Sequence, residues 1–331
     1  MDKKRNINID YIKCVAAFMV IFFHFFLNTG FNDITSLNHF TLISFILRQI
    51  GVICVPLFLL VTGYLMCDKN ISKKYYFNLL NVISTYILIS IICVFFRKYV
   101  LLEQITLEEL IFGIFTFKAN KYSWYVNMYI GLYLFIPFFN IIIEKIRDNS
   151  KMFLYLIILL IFFTSIPKLC NILFFGVNIY PITYYFIGAY LKNYSIKLNL
   201  FWLILLFVCM LLIECIFALV CGANLGIFFS NNIIFNLIKA CSVFVMLMSL
   251  KLKSNNLVNK ISKHTLSIYL VSFIVDTLVY GIFNKIFLIY NVRYQNIYIV
   301  FIIFAISFFI ALIVDFINMI MLKKLRKKAN L

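Results

Sequence analysis

Two ionisable side chains, Lys13 and His24, stand inside the first apolar run of this chain. Charges are expensive at membrane depth and mark function there by default. Their separation is three α-helical turns to within ~20°, so both lie on one helix face, ~16 Å apart along its axis. Imidazole titrates near neutral pH and can take a proton from a hydroxyl, which makes His24 a candidate general base. An ammonium at the depth of Lys13 can hold a phosphate or polarise a carbonyl. Each also has a structural reading: His24 bonded to a neighbouring helix, and Lys13 reaching back to the headgroups.

The elements that must position these groups are apolar helices. The 331 residues are 64% hydrophobic with a mean hydropathy of +1.02, far above the ~45–50% apolar content of soluble domains. The apolar runs are continuous rather than alternating, which excludes an outer-membrane barrel. The expected fold is an all-α integral membrane protein of about ten transmembrane helices. They run over 9–29, 42–66, 77–100, 122–143, 152–167, 179–191, 199–221, 231–250, 265–289 and 296–322. The sixth is short and can begin as early as Leu173. One multi-span domain over 1–331 is expected, with no soluble domain.

The net charge of +18 sits in short clusters between apolar runs. That pattern suits a cytoplasmic rim and argues against nucleic acid. With both termini cytoplasmic, twenty of the 30 Lys and Arg fall on the inner side and eight on the outer. This bias supports a multi-pass cell-membrane protein with that orientation. The nine Cys form no C-x-x-C pair, so packing thiols are expected, and no metal site. The basic N-terminus lacks a small-residue cleavage site, so the first run reads as a permanent helix. Thr106-Leu-Glu-Glu109 has capping-box spacing and suggests a short interfacial helix. Gly222-x-x-x-Gly226 has the small-residue packing spacing but falls in a loop.

Two further patterns bear on chemistry. Arg48 precedes Pro56-Leu-Phe-Leu-Leu-Val-Thr-Gly-Tyr64, where Pro56 opens the helix and Gly63 permits close approach. Arg48 either binds an anion or sits at the headgroups. Trp124 and Tyr125 open a run that continues through Tyr129 to Pro137; they are either interfacial belt residues or a sugar-stacking platform. Glu214, Lys239, Asp276 and Asp315 are the remaining intramembrane charges, and Asp276 and Lys239 are candidates to pair with each other or with Lys13 and His24. His39 and His264 fall at span edges and read as interfacial.

Taken in order, these patterns resemble the acyltransferase 3 family of membrane acyltransferases, which modify surface polysaccharides and other extracytoplasmic acceptors. Lys13 and His24 match the family's Arg/Lys, ten residues, His. Pro56 to Tyr64 is similar to its Pro-Leu-Phe-Phe-x-x-Ser-Gly-Phe helix, with Leu59 and Thr62 substituted. Trp124 to Pro137 is similar to its Trp-Tyr/Phe-x-x-x-Tyr-x-Gly-Leu-Tyr-Leu-x-x-Pro helix. Ser267-Ile-Tyr-Leu-Val-Ser272 is similar to Ile-Tyr-Leu-x-His, with Ser272 where His is common.

The resemblance implies an O-acyltransferase, most simply an O-acetyltransferase. It implies acyl-CoA (acetyl-CoA) as cytoplasmic donor and a hydroxyl of a surface glycan or lipid-linked sugar as acceptor. His24 would then be catalytic and Lys13 would bind the donor. Arg48, Trp124, Tyr125, Tyr129, Tyr269 and Asp276 would contact substrates. The rival class is a transporter or flippase using His24, Asp276 and Lys239 as a relay. Against it, the sequence shows no inverted repeat. A third reading is the membrane part of a larger enzyme.

Overall fold

Backbone groups in lipid must be satisfied within the chain, which leaves continuous apolar runs little choice but helix. The computed structural model describes residues 5–31, 39–170, 179–194, 196, 198–221, 230–287 and 296–328, and among them there are helices and no strand. Among the described residues, seven segments are long and apolar enough to cross a membrane: Ile7–Asn28, Thr41–Met66, Lys73–Tyr99, Trp124–Ile146, Leu200–Val220, Thr265–Lys285 and Ile299–Lys323. Two more, Ser150–Ser165 and Ile234–Ser249, are apolar but shorter. Each of the ten expected spans is occupied by helix, but three of these helices fall outside the seven. Leu173 and the Gly222-x-x-x-Gly226 stretch lie outside the described residues.

The chain divides into two units, each made of two separate stretches. The first is Met1–Lys69 with Ile136–Ser262. It holds α1 (Ile7–Asn28), α2 (His39–Gly51), α3 (Cys54–Met66), the end of α6 (Trp124–Ile146), α7 (Ser150–Cys170), α8 (Tyr180–Asn193), α9 (Leu200–Cys221), α10 (Ile234–Ser249) and most of α11 (Asn256–Lys263). Asn6 caps α1 by accepting from the backbone N–H of Asn8 and Ile9. At the other end Thr29 folds back onto the carbonyl of Phe25 through both its N–H and its hydroxyl.

The expected second span is broken between Gly51 and Cys54. The physical cause is Pro56, which has no N–H to offer the carbonyl of Val52 one turn earlier. Beyond the break, α3 crosses α8 at backbone contact. A Cβ on Gly63 would lie 2.1 Å from the carbonyl oxygen of Tyr185, and one on Gly188 would lie 2.2 Å from that of Leu60. Glycine at both positions is what permits this approach. Tyr185, fully buried, donates its hydroxyl to Asn140 Oδ1 at 2.5 Å. Asn140 in turn donates to the carbonyls of Met66, the last residue of α3, and of Lys69, three residues beyond it.

The second unit is Asn70–Phe135 with Lys263–Leu331. Here α12 (Thr265–Phe287) and α13 (Ile299–Lys328) pack on each other and on α4 (Lys73–Tyr99). Asn318 reaches across to the Thr85 hydroxyl at 2.9 Å. The expected capping box is formed: Thr106 accepts from the Glu109 N–H and Glu109 from the Thr106 N–H, starting α5 (Leu107–Phe115). These hydrogen bonds to its ionised form hold the exposed Glu109 carboxyl below its usual range.

Candidate functional site

In the first unit the chemistry is strung along α1. Its N-terminal end is held by a polar network. Arg5 Nε donates to Asp10 Oδ2 at 2.5 Å, and its other arm donates to the Ser262 hydroxyl at 2.8 Å. Ser262 donates to the second oxygen of Asp10 at 2.9 Å. The Asp10 hydrogen bond also raises the Arg5 guanidinium above its ordinary pKa. Asn8 donates to the carbonyls of Leu247 and Leu250, Tyr11 to that of Lys253, and Cys14 to that of Val258. These contacts fix the rotation of α1 against α10 and α11.

Lys13 lies one turn beyond this network and is partly buried. Among the described residues its ammonium makes no hydrogen bond and no ion pair. Asp10, one turn earlier, acts on it through space without touching it, and a partly buried ammonium of this kind can attract an anion.

His24 lies three turns further on and is 6% exposed. Around it the helix is aromatic: Phe22, Phe25, Phe26 and Phe31 form a chain of edge-to-face contacts. The end of α2 comes down on this turn, since a Cβ on Gly51 would meet Phe22 at 3.0 Å and Phe23 at 3.3 Å. Arg48, one turn earlier on α2, is only 2% exposed. Its guanidinium carbon sits 5.1 Å from the Phe23 ring centroid and 4.9 Å from that of Phe31. Arg48 is thus packed within the protein rather than exposed on its surface. Its charge lies over two rings, beside the residue that precedes His24.

The other intramembrane lysine finds a different acid from the one expected. Lys239 on α10 pairs with Glu214 on α9 at 2.5 Å, with both side chains fully buried. Lys239 Nζ also donates to the carbonyl of Gln49 at 3.0 Å. The sequence signal was present, a lone Glu in Leu-Leu-Ile-Glu214-Cys, but nothing in it chose Glu214 over Asp276.

The remaining expected site residues belong to the second unit. Asp276, buried, accepts from the Tyr122 hydroxyl at 2.6 Å. Tyr269 donates to the Tyr122 carbonyl at 2.6 Å, and its ring meets Tyr125 edge-on at 5.7 Å. Tyr125 stacks with Tyr129 at 6.1 Å. Trp124 stands perpendicular to Tyr125 and is 45% exposed. Tyr122, which holds Asp276, was not singled out from the sequence. Ser272 is fully buried and turned back on its own helix, donating to the Tyr269 carbonyl at 2.8 Å. His264 is not a simple interfacial residue: its Nδ1 pairs with Asp315, which also accepts from Ser267 at 2.5 Å.

A chain whose described residues hold seven bilayer-length apolar helical segments, with ionisable groups set among them, is a polytopic membrane protein. More narrowly, it belongs to the acyltransferase 3 family, whose model, described as an acyltransferase domain, matches residues 6–316. No curated protein and no solved structure matches the chain. Family membership favours group transfer over transport. The groups a transport relay would use are engaged otherwise, Lys239 by Glu214 and Asp276 by Tyr122.

Proposed function

We propose that this protein is a membrane O-acyltransferase. It takes an acyl group, most simply acetyl, from acyl-CoA and passes it to a hydroxyl of a surface glycan or lipid-linked sugar. The observation that carries the reading is the Arg48 guanidinium over the Phe23 and Phe31 rings, Phe23 being next in the chain to buried His24. Arg48 and His24 are both buried, and this supports a reading in which a cation and a proton acceptor act in a water-poor region. Lys13 lies on the same helix, towards the end that the charge bias assigns to the cytoplasm.

In this mechanism Lys13 holds an anionic part of the donor, which enters from the cytoplasmic side. His24 takes the proton of the acceptor hydroxyl as its oxygen attacks the thioester carbonyl carbon. Arg48 stabilises the tetrahedral oxyanion, and a dry site strengthens that attraction and limits hydrolysis of the thioester. The intermediate collapses, the carbon–sulfur bond breaks, and the CoA thiolate takes the proton back from the His24 imidazolium. Trp124, Tyr125, Tyr129, Tyr269 and Asp276 are assigned to acceptor recognition. The ten-span layout with both termini cytoplasmic goes with this reading.

The test uses membranes carrying the wild type or His24→Ala and radiolabelled acetyl-CoA, with label counted in the glycan and lipid fractions. Label is expected with the wild type only. A His24→Ala protein that inserts at wild-type level and labels fully would overturn the assignment.

A further inference from the structure

The buried Glu214–Lys239 pair has no part in the mechanism above, yet it touches the helix that carries Arg48. Helix α2 stops at Gly51 and α3 starts at Cys54. A helix end at membrane depth leaves backbone carbonyls that need donors, and lipid has none to give. Gln49 lies in the last turn of α2. Its carbonyl receives a donor from outside the helix, Lys239 Nζ at 3.0 Å. Lys239 is itself held by Glu214 Oε2 at 2.5 Å. All three residues are fully buried. Three helices thus meet at one ammonium: α2 through a carbonyl, α9 through a carboxylate, and α10 through the lysine.

The neighbour of Gln49 is Arg48. The same end of α2 rests on Phe22 and Phe23 of α1 through Gly51. Moving the end of α2 therefore moves the guanidinium relative to the His24 turn.

We propose that Lys239 is a positioning residue. Held by Glu214 Oε2 and bonded to the Gln49 carbonyl, it clamps the α2–α3 break and so sets where Arg48 stands. This rests on the assignment of Arg48 to oxyanion stabilisation. A buried pair kept only for packing would behave differently, because apolar residues of similar volume commonly replace such pairs without loss of stability.

The experiment is the double variant Glu214→Leu/Lys239→Met, which removes both charges together. Two readouts are taken on the full chain in membranes. The first is steady-state acyl transfer, split into kcat and the KM for acyl-CoA. The second needs no activity: the rate at which N-ethylmaleimide modifies Cys54, read by peptide mass spectrometry. Cys54 is the first residue of α3, beside the break, and is 4% exposed.

The clamp predicts a fall in kcat of at least tenfold, a KM within twofold, and at least fivefold faster Cys54 modification. A kcat within twofold of wild type, or Cys54 modified at the wild-type rate, overturns it. If the double variant does not accumulate, Glu214→Gln decides. It keeps Lys239 on the Gln49 carbonyl, so kcat is expected within threefold and Cys54 protected. A tenfold loss with Cys54 still protected overturns the proposal. The two readings fail separately: an active His24→Ala sinks the acyl-transfer mechanism and leaves the Cys54 result standing.

Discussion

The two ends of helix α1 are held by opposite means. Its N-terminal end is fastened by directional polar contacts, from Arg5, Asn8, Asp10, Tyr11 and Cys14 to the α10–α11 region. Its C-terminal end is wrapped in Phe22, Phe23, Phe25, Phe26 and Phe31, with Arg48 over the Phe23 and Phe31 rings. Hydrogen bonds are selective in angle, so the polar end decides which way the Lys13–His24 face points. Aromatic packing is less selective in angle but excludes water. It therefore decides how strongly a charge acts at His24. One end sets geometry and the other sets dielectric.

That division can be broken at four points. His24→Ala is expected to have the largest effect, a loss of ~10²–10⁴ in acyl transfer with normal insertion; equal activity would remove the chemistry from the aromatic end. Arg48→Lys keeps the charge but draws it away from the Phe23 and Phe31 rings, a cation–ring attraction worth ~2 kcal/mol when desolvated. A kcat lower by ~30-fold is expected, and an unchanged kcat would show that the charge alone suffices. Lys13→Gln should raise the KM for acyl-CoA ~10-fold, as for loss of a charge-assisted bond, with kcat nearly unchanged. A kcat effect instead would place Lys13 at the reacting atoms.

The smallest change is Ser262→Ala, at the polar end. It removes one bond to Asp10 and one acceptor for Arg5, a cost of ~1 kcal/mol. In detergent the melting temperature should fall by ~2–4 °C, while kcat holds. A loss of kcat as large as that of Arg48→Lys would erase the distinction between the ends.

Much of this was legible in the chain. Continuous apolar runs dictate helices, and Pro56 marks a break because it lacks an N–H. Thr106 and Glu109 give the start of α5 through a purely local exchange of hydrogen bonds. The Lys13–His24 spacing needs only helical geometry. What the chain did not show was partnership. Lys239 could have met Asp276 as well as Glu214, and it lies 25 residues from Glu214, on a different helix. Asp276 is held by Tyr122, 154 residues away. His264 read as interfacial until Asp315 stood beside it.

The division follows from the range of the forces. Hydropathy, helical period, proline's missing donor and the Lys–x10–His face are set by neighbours within a few turns, and the sequence by itself determined them. Whether a buried charge is compensated, and by which group, depends on contacts between helices distant in the chain. Only the tertiary structure decided that Arg48 would lie over the Phe23 and Phe31 rings, that Glu214 would hold Lys239, and that Lys239 would cap the end of α2.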